Sequence, residues 1–153
     1  ITSDDEEFSD ACQRLAGFKE GLQEAGLSFD EKLVATAYAD EVGGHVAAAE
    51  LMSRNLPFTA FVAFNDAMAA GAISYLVEQN IAVPEQVSAV GFDDIPYIRF
   101  IRPKLTTVSY PIEAIGEQAA ELAVRLLDEQ PLDGVQLKFV PQMVIRDSVK
   151  AIA

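Results

Sequence analysis

The hydrophobic and polar positions of this chain change period in a regular way. From Asp10 to about Ala25 apolar residues recur at helical spacing, with Leu15, Phe18 and Leu22 on one face. Ser9 or Asp10 is placed to cap that helix, and Gly26 stops it. Residues 32–37 then read as a short strand. Gly43-Gly44 opens a second helix carrying Val46, Ala49, Leu51 and Met52, which ends near Asn55 ahead of Pro57. The run Phe58-Thr59-Ala60-Phe61-Val62-Ala63-Phe64 predicts a buried strand, followed by a helix over 67–79. Pro84 leads into a further strand over 87–92, closed by Asp93-Asp94. Strands alternating with helices of this length imply βαβ units and a mostly parallel sheet.

After Asp94 the rhythm changes. Residues 95–102 are apolar and aromatic, broken by Pro96 and stopped by Pro103, and residues 105–111 read as extended. A long helix is expected over 112–129, with Ile112, Ile115, Ala119, Leu122 and Leu126 spaced 3, 4, 3 and 4 apart. Such a stripe needs a surface to pack on. Residues 136–146 read as a closing strand.

Composition narrows the function classes. The 153 residues are 50% hydrophobic and 23% charged, enough for one domain or one lobe of a larger protein. No apolar run approaches the roughly 18–20 residues of a membrane helix. The start is Ile1, not Met, and it is acidic where a signal peptide would be basic, so the chain reads as part of a longer protein. A net charge of −13, from 24 acidic and 11 basic residues, leaves no electrostatic footprint for phosphate backbones. Cys12 is the lone cysteine and His45 the lone histidine, so neither a disulfide nor a His/Cys metal site is expected, and no cofactor is implied. The cluster Asp4-Asp5-Glu6-Glu7 lacks the alternating ligands of a calcium loop and reads as an exposed stretch leading into the first helix.

Ligands of open α/β sheets bind beyond the carboxyl ends of the strands. Two polar pairs, Asn65-Asp66 and Asp93-Asp94, stand at such ends. Asn offers donors and acceptors and ionised Asp only acceptors, a combination suited to vicinal sugar hydroxyls. Asp66 is read first as the cap of the helix that follows, and Asp94 suits a cap as well as a ligand. Asn65 and Asp93 are less easily explained as caps. An enzyme is not expected: adjacent aspartates on a strand point to opposite faces, and no nucleophile elbow, P-loop or Gly-x-Gly-x-x-Gly is present.

Five ordered motifs give a more specific reading. Arg14-Leu15-Ala16-Gly17-Phe18, Phe64-Asn65-Asp66-Ala67-Met68-Ala69-Ala70-Gly71-Ala72, Val90-Gly91-Phe92-Asp93-Asp94, Pro103-Lys104-Leu105-Thr106-Thr107-Val108 and Val144-Ile145-Arg146-Asp147-Ser148 together resemble the effector-binding region of LacI/GalR-family transcription regulators. The likeness is greatest to the galactose repressor and isorepressor branch. It implies a partial αβα Rossmann-like lobe of the periplasmic-binding-protein type. Residues 1–105 would form the C-terminal lobe, with its opening strand lying ahead of Ile1. Residues 106–130 would be a crossover and a helix of the other lobe, and 131–153 the return strand and tail.

The resemblance also implies a site and partners. Arg14, Asn65 and Asp93 match residues that contact the effector, with Tyr38 and Tyr110 as candidate aromatic walls; Ala39 stands where some members place Trp. Ala70, Ile73, Tyr97, Phe100 and Ile101 match a two-fold interface, and the apolar 95–101 segment reads as such a contact ahead of a loop folded on its own core. The implied protein is a cytoplasmic homodimer that senses a small molecule, a galactose-like monosaccharide, and meets operator DNA only through a separate N-terminal domain. The alternative is part of a periplasmic sugar-binding protein serving a transporter.

Overall fold

The computed structural model describes residues 2–3, 10–130 and 134–151. Ser9, as a cap, and the acidic run from Asp4 to Glu7 lie outside the described residues. The first strand, β1 (Thr2–Ser3), pairs in parallel with β2 (Thr36–Ala37), so a short strand stands ahead of the first helix where the reading expected none. Between them runs α1 (Asp10–Glu24). Of the strand expected over 32–37 only Thr36–Ala37 pairs; Lys32 and Leu33 belong instead to a 3₁₀ turn over Glu31–Leu33, where the Asp30 carboxylate accepts from the Lys32 N–H. Arg54 fastens that turn by donating to the Lys32 and Val34 carbonyls at 2.6 and 2.7 Å.

The helix α2 (Glu41–Ser53) starts two residues before the glycine pair, capped by Asp40, whose carboxylate accepts from the Gly43 N–H at 2.7 Å. Next come β3 (Ala60–Val62), α3 (Asp66–Glu78) and β4 (Ser88–Phe92). The two helices lie unusually close. A Cβ on Gly44 would fall 2.1 Å from the Met68 carbonyl oxygen, and one on Gly71 would fall 1.9 Å from that of Glu41, so only glycine permits the contact. Ala47, Ala48 and Ala72 fill the seam, and Leu51, Phe61, Leu76 and Val87 complete one core cluster. A second cluster, nearer the strand ends, holds Ala63, Met68, Ala69, Ile73, Ala89, Ile98 and Leu105.

The main sheet is completed by β5 (Thr106–Ser109) and β6 (Gln142–Val144). Its order is β3-β4-β5-β6, parallel up to β5 and antiparallel at the last pair. Only three residues of the closing strand expected over 136–146 pair, since Pro141 has no N–H to give a ladder just ahead of them. The segment after β6 is tied across β4 and β5 by side chains. The Ser148 hydroxyl, fully buried, donates to the Ala89 carbonyl at 2.6 Å and accepts from the Thr106 N–H at 2.8 Å. The Arg146 N–H donates to Thr106 Oγ1 at 2.9 Å.

The long helix α4 (Ile112–Leu127) carries no buried residue, and Ile112 and Leu126 are exposed. The division expected between 105 and 106 falls at the start of an inner strand, because Thr106 and Thr107 are buried in the sheet. The chain leaves that sheet only after Ser109. Residues 131–133 and 152–153, at the start and end of the expected tail, lie outside the described residues.

Candidate functional site

Two strands end in the same pattern, a phenylalanine followed by a polar residue: Phe64-Asn65 after β3 and Phe92-Asp93 at β4. Because β3 and β4 are parallel neighbours, both phenylalanines arrive at one edge of the sheet. The N-terminal half of α1 brings Arg14 over them. Its guanidinium carbon lies 4.3 Å from the centre of the Phe64 ring and 3.8 Å from that of Phe92, a double cation–π clamp. Arg14 Nη1 also donates to the Phe64 carbonyl.

The same guanidinium nitrogen is 3.7 Å from Asp93 Oδ1. Tyr110, just past β5, donates its hydroxyl to that oxygen at 3.4 Å, and its ring packs 5.7 Å from Phe92. Burial pushes the Asp93 carboxyl above its ordinary range, with the charge of Arg14 and the Tyr110 hydroxyl opposing the rise. Burial and the nearby Asp93 charge push the Tyr110 phenol upward in turn. Three of the five residues expected to bind an effector, Arg14, Asp93 and Tyr110, therefore form one half-buried cluster. Hydrogen-bonding capacity in both directions sits beside three aromatic rings.

Asn65 and Asp66 exchange the roles that local sequence suggests. Asn65 is the cap of α3: its backbone is extended, at φ −143° and ψ 175°, and its Oδ1 accepts from the Met68 N–H at 2.8 Å. Its Nδ2 donates to the Ala39 carbonyl at 3.0 Å, tying the β2–α2 loop to the site and leaving one amide N–H uncommitted by these bonds. Asp66 is instead buried, with 0% of its surface exposed. Its Oδ2 accepts from the Ile95 N–H at 2.9 Å and its Oδ1 from the Thr107 hydroxyl at 2.5 Å. Burial dominates its titration and lifts the carboxyl to about 6, against the pull of those two donors.

Asp94 turns away from Asp93. It pairs with Arg146, 52 residues later in the chain, and with Arg99 at 3.4 Å. Neither a helix cap nor a site contact, it is an anchor. Tyr38 is 75% exposed beside the site and, among the described residues, makes no ring contact that would set it as a wall.

The residues expected at a two-fold contact divide. Ile73, expected at the contact, instead packs inside the second core cluster, 3% exposed, and has little to present to a partner. Within the 95–101 segment Ile98 is fully buried, so part of the loop does fold on its own core, while Phe100 is 82% exposed. Tyr97 donates its hydroxyl to Glu41 Oε1 at 2.5 Å, and Ile101 and Ala70 are half-buried. Residues that the sequence left without a role are Phe64, Phe92, Thr107 and Arg146. The repeated Phe-polar pair at successive strand ends was the available signal for the first two.

A mostly parallel sheet with its polar cluster beyond the strand ends is the build of a binding domain. The chain belongs to the periplasmic binding protein-like domain family, whose model matches residues 1–149. Its relatives make the class more particular. It is 45% identical over 142 residues to the HTH-type transcriptional regulator GalR of Escherichia coli (strain K12), covering 93% of this chain and 41% of that protein. The crystal structure of the Escherichia coli transcriptional repressor ascG superposes with a TM-score of 0.83 at 35% identity, over 92% of this chain and 51% of that one. A complex of the transcriptional regulator CelR with cellobiose superposes with a TM-score of 0.85 at 31% identity, over 90% and 42%. The chain is thus homologous to the effector-binding region of LacI/GalR-type regulators, as its motifs implied. It spans about two fifths of the length of the curated relatives it matches. No described helix is long and apolar enough to cross a membrane.

Proposed function

We propose that this chain is the sugar-sensing and dimerising part of a transcription regulator, with a galactose-like monosaccharide held against Arg14 and Asp93. The observation that carries the reading is the Arg14–Asp93–Tyr110 cluster between aromatic rings at the strand ends. The guanidinium donates to sugar oxygens and the carboxylate accepts from vicinal hydroxyls. The half-buried rings beside them suit the apolar face of a pyranose. The remaining N–H of Asn65 adds a donor, and Tyr38 stands at the rim.

The site is closed by a second lobe, to which α4 and its apolar stripe belong, while the elements up to the end of β5 and the tail form the lobe that carries Arg14 and Asp93. Sugar bound between two lobes favours one relative orientation. By linkage that orientation sets how a dimer presents DNA-binding heads carried elsewhere in the protein. Ala70, Tyr97, Phe100 and Ile101 are the proposed dimer contacts. No catalytic step and no cofactor is assigned, and the setting is cytoplasmic. The names of the relatives favour a regulator over a transporter's binding protein.

A thermal-shift panel of galactose, fucose, glucose, ribose and cellobiose on the intact protein tests the sugar. At about 100 times Kd a native-state ligand adds roughly 2.7 kcal/mol of stability. A shift selective for galactose supports the assignment, and no shift with any hexose removes it.

A further inference from the structure

The turn that carries Asp93 is conformationally costly. Asp93 has φ 117° and Asp94 φ 55°, two consecutive non-glycine residues in a region that L side chains rarely adopt. Such a turn persists only when its surroundings hold it. The anchors are identifiable. The Asp93 N–H donates to the Val108 carbonyl at 2.8 Å, which fixes the entry. The Asp94 carboxylate is held by Arg146, which fixes the middle. The exit is fixed from a distant element, by the Ile95 N–H donating to Asp66 on the first turn of α3.

Asp66 is itself held. The Thr107 hydroxyl occupies its other oxygen, and the side chain is fully buried. The backbone of Gly91 leaves it room, since a Cβ there would fall 2.2 Å from Asp66 Oδ1. The fixed carboxylate lies next in sequence to Asn65, the cap of α3. One rigid point therefore serves the ends of three strands.

We propose that Asp66 is a positioning residue of the binding site, whose carboxylate, by holding the Ile95 N–H, keeps the left-handed Asp93-Asp94 turn closed and Asp93 aimed at Arg14. This rests on the reading of Asp93 as a ligand contact. The role is distinguished from general support of the fold by its readout, the aim and titration of Asp93, which stability alone would not move. Removing Asp66 lets the turn relax to ordinary backbone angles and swings the Asp93 carboxylate toward solvent. An asparagine of the same shape keeps both bonds, accepting from the Ile95 N–H through its oxygen and donating to the Thr107 hydroxyl oxygen through its amide.

The test uses the intact protein, with D-galactose as the probe in calorimetric titrations of wild type, Asp66→Ala, Asp66→Asn, Asp93→Ala and the Asp66→Ala/Asp93→Ala double variant. Asp66→Ala is expected to weaken binding at least tenfold, Asp66→Asn to restore most of it, and the double variant to bind no more weakly than Asp93→Ala alone. Penalties that multiply in the double variant, or an Asp66→Ala affinity within twofold of wild type, overturn the proposal. Carboxyl NMR titration of Asp93 reads the same point without sugar: in Asp66→Ala its pKa should fall back toward the ordinary aspartate value, and an unchanged titration contradicts the proposal. Should wild type take no galactose, the sugar reading has failed and the NMR comparison alone decides Asp66. Asp66→Ser, whose hydroxyl is too short to reach the Ile95 N–H, replaces the alanine variant if that one does not fold.

Discussion

Asp66 and Thr107 meet at 2.5 Å in the interior, each with 0% of its surface exposed, although 41 residues separate them in the chain. A buried carboxylate with two donors is still short of full hydration, so its proton is held to about pH 6 instead of 3.8. The sign of the stability effect follows. Between those values the native state binds a proton that the unfolded chain has released, so stability falls as pH rises through the window. At about 1.36 kcal/mol per pH unit this single group accounts for up to about 3 kcal/mol. Denaturant melts of wild type and Asp66→Asn should therefore diverge in their pH dependence between pH 4 and 6.5, wild type losing stability relative to the variant. Parallel curves would contradict the burial argument. Thr107→Val should cost about 1–3 kcal/mol at pH 7 by leaving one carboxylate oxygen without its donor.

Gly91 supplies the room for that contact. An added methyl would meet both Asp66 Oδ1 and, at 2.8 Å, Leu105 Cδ2, neither of which lies on a free surface. Gly91→Ala should destabilise the fold by about 1–3 kcal/mol. The same substitution at Gly17, with nothing within 4 Å, should instead stabilise helix α1 slightly. Equal effects at the two positions would mean the strand-end packing is looser than described.

Much of this architecture was legible locally. The starts of α1 and α3 fell within a residue or so of expectation, because capping residues and apolar spacing are local signals. The Asn65-Asp66 pair was misassigned because both residues are good caps. Which of them keeps extended backbone is decided by where β3 ends, not by either side chain. Asp94 could not be read at all, since its partner Arg146 arrives from the far end of the chain. The clamp on Arg14 was half visible. Strand-end position and motif likeness both point to Asp93 and motif likeness alone to Arg14, whereas Phe64 and Phe92 read only as strand residues.

Phe100 tests the dimer. It is 82% exposed at the end of the 3₁₀ turn over Pro96–Arg99, with buried Ile98 fixing that turn to the core. Phe100→Glu at an exposed position should change the stability of the isolated fold by no more than about 0.5 kcal/mol. In the intact protein it should shift sedimentation from dimer toward monomer. An unchanged dimer would move the two-fold contact away from this segment.

The central claim is that Arg14 and Asp93 read the hydroxyls of a sugar, and isothermal titration of the intact protein with D-galactose tests it most directly. Hydrogen bonds to charged groups contribute about 1.5–3 kcal/mol each, and 1.4 kcal/mol is tenfold in affinity. Asp93→Ala and Arg14→Lys, which keeps the charge but loses the planar fork stacked between Phe64 and Phe92, should each weaken binding at least tenfold while the protein stays folded. Galactose affinity unchanged in Asp93→Ala would contradict the account and place the sugar elsewhere.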